Sequence, residues 1–229
     1  MSRSQLTIVG IVVAAVAIIV VGVLILNGNS ASDSLYESIT QSRTEDGAFV
    51  LGDPDAPITV VAFEDFLCPH CQDFTEATVD PFIENYVSTG KARFEYRFFP
   101  VISPTISPYA AQIAECADTV HPGSFWEAHD VLFDMGRRGL INDTAGSAVA
   151  ERLNIDTSAL LSCVSSASQV NVDQSLGRQL GVQSTPTIMF RFNNGRPQWP
   201  SLDGQEIRRG SIDYDTLATM VDAALSTNS

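Results

Sequence analysis

Positive charge is scarce in this chain. The sequence has 13 Lys and Arg residues against 27 Asp and Glu residues, which gives a formal net charge of −14. Nucleic acids and anionic lipid surfaces would be repelled by such a chain, so we expect neither as a partner. The excess of acidic residues is typical of a solvated surface that keeps a protein soluble.

Patterns that bind metals are equally scarce. The three histidines are His70, His121 and His129, and one CxxC motif occurs, at Cys68 and Cys71, with no second CxxC and no paired-histidine spacing. Tetrahedral zinc needs further Cys or His ligands, so we expect no metal and no cofactor. The sequence also contains no internal repeat and no low-complexity tract. With 229 residues the chain has room for one sizeable domain and a membrane anchor, and its length alone would permit a second small domain.

A long apolar run lies near the N-terminus. Residues 6–26 are 21 residues without a charge, long enough to cross a bilayer as a helix. A cleaved signal peptide is the alternative, but its apolar region would be only about 7–15 residues. Arg3 precedes the run and acidic residues follow it, so the rest of the chain is expected outside the cytoplasm. We predict a cytoplasmic tail at 1–5, a transmembrane anchor at 6–26 and a tether at 27–46.

The CxxC motif is the most informative stretch of the sequence. It lies between a predicted strand, Ile58 to Phe63, and a predicted helix that extends to Val87. At a helix N-terminus the unpaired N–H groups favour the thiolate of Cys68, and the thiolate is the nucleophile. Pro69 suits the first helical turn, and His70 adds a donor and, when protonated, a positive charge. We therefore predict a redox pair whose disulfide form is a good oxidant. Cys68 would be the attacking sulfur and Cys71 the one that resolves the mixed disulfide.

The other two cysteines are Cys116 and Cys163. Outside the cytoplasm disulfides persist, and the CxxC pair leaves these two as partners. They form either a second redox pair or a structural disulfide that joins two helices. We favour the structural disulfide, because neither cysteine has a CxxC-type neighbour that would lower its pKa.

The periodicity of the sequence predicts an α/β domain interrupted by helices. We expect strands at 48–51, 58–63 and 187–192, a half-buried strand at 91–99, a hairpin turn at 193–195 and a final helix at 214–225. A strand, a long helix and a strand form the crossover unit of a parallel pair. Five helical segments follow Pro100, at 107–119, 123–135, 144–153, 157–166 and 170–180. These patterns predict one domain at 47–100 and 181–229, with a helical insertion at 101–180.

Residues 63–71, FEDFLCPHC, together with Thr185-Pro186-Thr187, resemble the DsbA-like thiol:disulfide oxidoreductases, in particular their membrane-anchored branch. Supporting matches lie at 51–57, 115–117, 125–130 and 181–186, so the resemblance extends over roughly Phe49 to Ala224. It implies a thioredoxin fold in which a cis Thr185–Pro186 bond faces the CxxC motif. The backbone of Thr185 would then pair with an extended substrate segment. Taken without the resemblance, Pro186 is equally compatible with a trans proline that opens an edge strand.

The resemblance further implies an extracytoplasmic, membrane-anchored enzyme. It would donate disulfides to reduced or unfolded secreted and cell-envelope polypeptides, and a quinone-linked membrane partner would re-oxidise it. One position departs from the pattern: thioredoxin-like proteins commonly carry a buried acid six residues before the first cysteine, where this chain has Ala62. Glu64 shares the strand face of Ala62, and either this acid or water would take the proton.

The sequence leaves three alternatives to an oxidase: a disulfide isomerase, a reductase and a thiolate module that binds metal. Isomerases of this fold usually carry an N-terminal dimerisation domain, and the short predicted tether leaves no space for one. Reductases of cytochrome maturation typically have a Trp before the first cysteine, where Leu67 stands here. A thiolate module that binds copper or zinc is the third possibility, and it would retain metal on purification.

Overall fold

The computed structural model describes Tyr36 and residues 38–202, 204–208 and 210–227. The predicted cytoplasmic tail, the predicted anchor at 6–26 and the first part of the predicted tether lie outside these residues. No helix within the described ranges is long and apolar enough to cross a membrane. Residues Leu35–Ser229 form one compact unit.

A five-stranded mixed sheet organises this unit, with the strand order β1-β2-β4-β3-β5. The central pair, β3 and β4, is parallel, and the other three pairs are antiparallel. Every residue of β3 is buried, as expected of a strand covered on both faces. The strands are β1 (Gln41–Arg43), β2 (Phe49–Leu51), β3 (Ile58–Glu64), β4 (Arg93–Phe98) and β5 (Thr187–Phe192).

Helix α1, residues 69–87, connects β3 to β4 and confirms the predicted parallel crossover. It is continuous but alternates in type. Pro81 lies inside it and has no N–H to donate, and the hydrogen bonds around it shift to a wider spacing. The successive segments are α-helical Pro69–Phe74, π-helical Thr75–Val79, α-helical Asp80–Phe82 and π-helical Ile83–Val87.

Five helices separate β4 from β5, as the sequence predicts, and a sixth closes the chain. Their bounds differ from the predicted ones by one or two residues at most ends. They are α2 (Ile106–Val120), α3 (Phe125–Arg137), α4 (Ala145–Arg152), α5 (Thr157–Val164), α6 (Gln169–Leu180) and α7 (Tyr214–Thr227).

The two faces of the sheet pack against different helices. One face belongs to a large apolar core in which α1, α3 and α7 take part. The other face carries a smaller cluster, centred on Val61 and Phe63 of β3, which α6 covers. Gly177 of α6 lies against the rings of Phe63 and Phe99, and a side chain there would overlap them. The absence of a side chain therefore allows α6 to approach the sheet.

The hairpin after β5 is present. The backbones of Phe190 and Gln198 exchange hydrogen bonds of 2.8 and 2.7 Å across the turn. A small second sheet follows, made of β6 (Ser201–Leu202) and β7 (Gln205–Glu206). Strands β1, β6 and β7 have no counterpart among the predicted strands, and β1 lies within the stretch predicted as tether.

The prediction that β4 is half-buried was wrong. Glu95 and Arg97 are each 1% exposed, beneath α6. The two side chains pair at 2.7 Å, and Arg97 also binds Asp173 of α6 at 2.8 Å and Asp46 at 2.7 Å. Buried charges are tolerated when they are paired and hydrogen-bonded. The polar alternation of β4 therefore marks an ion network under a helix rather than a solvated face.

Candidate active site

Cys68 is the last residue before α1 and serves as its N-cap. Pro69 occupies the first helical position, where no N–H is needed. The backbone carbonyl of Cys68 accepts the N–H groups of Cys71 and Gln72 at 3.0 and 3.1 Å. The end of the central strand and the start of the helix therefore fix the position of this sulfur.

Both sulfurs of the motif are buried thiols, with Cys68 2% exposed and Cys71 0% exposed. The place of Cys68 on the N-terminal side of the motif predicts an exposed sulfur, whereas the exposed residues of the motif are Pro69 and His70. The loop before β5 covers Cys68, and Sγ lies 3.5 Å from the carbonyl oxygen of Thr185. This loop therefore separates the Cys68 sulfur from solvent.

The two thiols differ sharply in acidity. The pKa of Cys68 is lowered to about 5, first by a hydrogen bond from the Cys71 thiol and then by Thr185 and the backbone N–H groups of Cys71 and His70, against the opposing effect of burial. The pKa of Cys71 is raised, because the side chain is buried, hydrogen-bonded to Cys68 and near Glu64. At neutral pH the pair therefore holds one thiolate at Cys68 and one proton at Cys71.

His70 contributes to this thiolate through its backbone N–H group. Its side chain is exposed at the surface of the motif. Part of the lowering of the Cys68 pKa that was expected from the His70 imidazole therefore comes from a backbone N–H, which any residue other than proline would supply at position 70.

Glu64 is a buried acid beside the motif. Its side chain is 1% exposed, and neither carboxylate oxygen has a hydrogen-bond partner among the described residues. Burial raises its pKa well above 4.5, and the charges of Cys68 and Asp80 raise it further, while Cys71 and Thr75 have a smaller opposite effect. Ala62 lies two residues earlier on the same strand, fully buried. The chain thus has its buried acid two residues nearer to Cys68 than thioredoxin-like proteins commonly do.

Asp65 fixes the loop between β3 and Cys68. Its carboxylate accepts the backbone N–H of Leu67 at 3.0 Å and those of Val101 and Ile102 at 2.8 and 2.9 Å. No local sequence pattern assigns Asp65 this role in full. An aspartate two residues before a backbone N–H in a turn is a common local pattern, but the bonds to residues 101 and 102 are visible only in the fold.

The peptide bond between Thr185 and Pro186 is cis, as the resemblance implies. Strand β5 begins directly afterwards, where Thr187 pairs with Phe63 near the end of β3. This pairing positions the Thr185–Pro186 loop against Cys68. Thr185 is 9% exposed, and its side chain helps to lower the pKa of Cys68.

Cys116 and Cys163 form a disulfide bond, with a Cα–Cα distance of 5.7 Å. The bond joins the C-terminal half of α2 to the end of α5, both in the helical region between β4 and β5. The predicted pairing is therefore confirmed. Elsewhere in the described ranges, no three His, Cys, Asp or Glu side chains lie close enough together to hold a metal ion.

Comparison with known proteins gives the same fold. A family model described as thioredoxin matches residues 44–197. Disulfide bond formation protein D of Bacillus subtilis is 29% identical over 173 residues, which are 70% of this chain and 75% of that protein.

Two solved structures are also similar. Oxidised BdbD from Bacillus subtilis superposes with a TM-score of 0.61 and 26% identity, over 77% of this chain and 92% of that one. Alpha-DsbA1 of Wolbachia pipientis, at 20% identity, has the same fold with a TM-score of 0.65, over 81% of this chain and 94% of that one. The chain therefore belongs to the thioredoxin family, as a DsbA-like thiol:disulfide oxidoreductase.

Proposed function

We propose that this protein is an oxidase that donates the Cys68–Cys71 disulfide to secreted and cell-envelope polypeptides. The observation that carries the proposal is the opposed acidity of the two thiols, with the pKa of Cys68 lowered to about 5 and that of Cys71 raised. A thiolate that is stable at neutral pH stabilises the reduced pair, and a stable reduced pair makes the disulfide a strong oxidant.

The reaction would proceed in two exchange steps. A thiolate of the substrate attacks Cys68 of the oxidised pair, a mixed disulfide forms, and Cys71 leaves with the electron pair of the broken S–S bond. A second substrate thiolate then attacks the substrate sulfur of the mixed disulfide and releases Cys68 as a thiolate. The substrate has lost two electrons and gained a disulfide, and the enzyme holds the reduced pair.

Glu64 is the residue we propose for proton transfer to Cys71. The raised pKa of Cys71 means that this sulfur takes up a proton soon after it leaves. Glu64 raises the pKa of Cys71 through its charge, and its own pKa lies well above that of an ordinary glutamate because it is buried. It can therefore supply that proton during substrate oxidation and recover it during re-oxidation.

Thr185 and Pro186 are proposed as the substrate-binding loop. The loop lies against Cys68, and its backbone continues into β5. An extended substrate segment could pair with this backbone as an additional strand, which requires no particular side chains. Such binding suits an enzyme that accepts many different polypeptides.

The location we propose is the extracytoplasmic side of the membrane, with residues 6–26 as a single-pass anchor. The apolar run has the length of a membrane helix, and the Cys116–Cys163 disulfide is stable in an oxidising compartment. Re-oxidation by a quinone-linked membrane protein accompanies this location. In intact bacterial cells that express the chain, external protease should remove the domain while the anchor stays with the membrane. Recovery of a soluble form that begins near Ala31 would refute the anchor.

The experiment that tests the function is the equilibrium of the Cys68–Cys71 pair with glutathione. We expect a reduction potential above about −180 mV, the range of oxidising members of the fold. A potential near about −270 mV would identify a reductase instead. Purified protein that retains stoichiometric copper or zinc and lacks turnover would favour the metal-binding alternative. The thiolate absorbance of Cys68, titrated in parallel, should report a pKa near 5.

A further inference from the structure

A cavity lies on the sheet face that α6 covers, away from the CxxC motif. Its volume is about 630 Å³, within the range of small-molecule sites. Thr59, at the start of β3, lines its floor, whereas Cys68 follows the opposite end of the same strand. The walls are residues 42–46, the C-terminal half of α6 and the turn after β5. We call this cavity the arginine groove.

Three residues in register form the floor of the arginine groove. Thr59 of β3 pairs with Arg93 of β4 on one side and with Arg191 of β5 on the other. Because paired residues on adjacent strands point to the same face of a sheet, both guanidinium groups flank the threonine side chain. Arg43 and Arg196 also line the groove. Four of the 13 cationic residues of a chain with net charge −14 therefore lie at one cavity.

The acidic residues of the groove are mostly paired with other groups. Arg191 binds Glu95 with two nitrogens at 2.8 and 3.0 Å, and Asp46 binds Arg97 at 2.7 Å. Arg43 pairs with Asp118 at 3.0 Å, outside the groove. Glu45 remains as an exposed acid at the rim.

Arg93 and Arg196 have no carboxylate partner among the described residues. Arg93 binds the carbonyl oxygen of Asn193 at 3.0 Å and the side-chain oxygen of Asn194 at 3.4 Å, both neutral. Among the acidic residues, Glu95 acts most strongly on its charge, followed by Asp53 and Asp55, and none of the three forms an ion pair with Arg93. The groove therefore contains two cations that direct pairs do not neutralise.

Two buried polar atoms of the floor have no hydrogen-bond partner within the part of the chain that the structure describes. They are the hydroxyl of Thr59, a residue that is 1% exposed, and Nε of Arg93. A buried polar group without a partner costs free energy, and natural proteins keep few of them. Both atoms are able to donate, and they belong to paired residues of one cavity. They point to a ligand that supplies acceptors.

We propose that the arginine groove binds the phosphate group of a small organic phosphate. A phosphate offers several acceptor oxygens and more than one negative charge. These features suit the guanidinium groups of Arg93 and Arg191, which flank the Thr59 hydroxyl. The cavity is larger than a phosphate ion, and Val50, Leu176 and Pro197 supply apolar surface for an organic part. The site is separate from the thiol chemistry, so the proposal stands whether or not the redox function is confirmed.

Calorimetric titration of the full chain in neutral detergent tests the proposal, with pyrophosphate as the probe and citrate as a carboxylate control. We expect saturable binding of one pyrophosphate, at least tenfold tighter than citrate. Absence of saturable binding up to about 10 mM pyrophosphate would refute the site. Citrate that binds as tightly as pyrophosphate would refute the assignment to phosphate.

Two variants locate the binding in the arginine groove. Thr59→Val keeps the shape of the side chain and removes a hydroxyl that has no partner in the fold, so folding stability should stay the same or rise. Its affinity for pyrophosphate should fall about tenfold, the effect of one charge-assisted hydrogen bond. Arg93→Gln should cause a loss of at least the same size.

Two matched controls should leave pyrophosphate affinity unchanged. Thr75→Val removes another buried hydroxyl, on α1 and outside the arginine groove, and Arg138→Gln removes an exposed charge at the end of α3. If Thr59→Val and Arg93→Gln bind pyrophosphate as well as the original chain, the anion binds elsewhere and the proposal is wrong.

Discussion

Removal of the Cys116–Cys163 disulfide should destabilise the domain without stopping substrate oxidation. The bond closes a loop with a sequence separation of 47 residues. On the chain-entropy account, a loop of this size restricts the unfolded chain by about 4 kcal/mol at 25 °C. The double substitution Cys116→Ala/Cys163→Ala should therefore lower the free energy of unfolding by about that amount. For a unit of residues 35–229 this corresponds to a fall of about 10 °C in Tm.

Calorimetry in a Cys68→Ser/Cys71→Ser background measures this loss cleanly, because only one disulfide then remains. Adding a reductant to that background should reproduce the Tm of the variant that also lacks Cys116 and Cys163. Oxidation of a reduced test protein is measured separately, with Cys68 and Cys71 intact. We expect the rate to change less than twofold, since neither sulfur of the helical region belongs to the CPHC motif.

Two outcomes would refute this reasoning. Lost oxidation with an unchanged Tm would make the pair a second redox centre rather than a structural bond. A Tm that falls by only a degree or two would mean that the unfolded chain gains little freedom when the loop opens.

Three further predictions concern the interior. Burial raises the pKa of Glu64 in the folded state, so the free energy of unfolding of the original chain falls as pH rises from about 4.5 toward that pKa, by at most about 1.4 kcal/mol per pH unit. Glu64→Gln should remove this contribution, and urea unfolding of the variant should depend less on pH over the same range. Arg97→Met leaves the carboxylates that pair with Arg97 uncompensated, and the free energy of unfolding, measured in urea at pH 8, should fall by about 3–5 kcal/mol. The loss should be smaller at pH 5, where Asp173, with its pKa of about 6, takes up a proton. The control Arg138→Met should lower the free energy of unfolding by under about 0.5 kcal/mol. Gly136→Ala would bring a methyl group onto the carbonyl oxygen of Phe66, and a lowered Tm with slower thiol exchange at Cys68 should follow, whereas an unchanged Tm would show that α3 can move aside.

Local patterns were sufficient to predict most of the fold. The β-branched run before Cys68 is β3, the helix after it is α1, and their spacing predicted the parallel β4. The five helices after Pro100 followed from periodicity of 3.6 residues alone. Both the Thr185–Pro186 cis bond and the Cys116–Cys163 pair were expected, the first from the resemblance and the second from the count of cysteines.

The features that the sequence could not predict depend on residues far apart in the chain. The alternation of polar and apolar residues along β4 is equally compatible with a solvated face and with a buried ion network. Only the contact between Arg97 and Asp173 of α6 shows that Arg97 is buried. The burial of Cys68 depends on Thr185, separated from it by 117 positions. Strand β1 consists of three polar residues whose structure comes from pairing with β2. Such contacts carry no local periodicity.

The disulfide between α2 and α5 has a consequence for how the protein matures. A newly made chain carries Cys116 and Cys163 as thiols, and they must lose two electrons before the helical region gains its crosslink. An enzyme that oxidises other polypeptides is thus itself a client of the same chemistry. The first copies made in a cell that lacks mature enzyme would depend on slow oxidation by air or small disulfides, and later copies would be completed by earlier ones. The supply of the crosslinked, more stable form would then accelerate with its own accumulation.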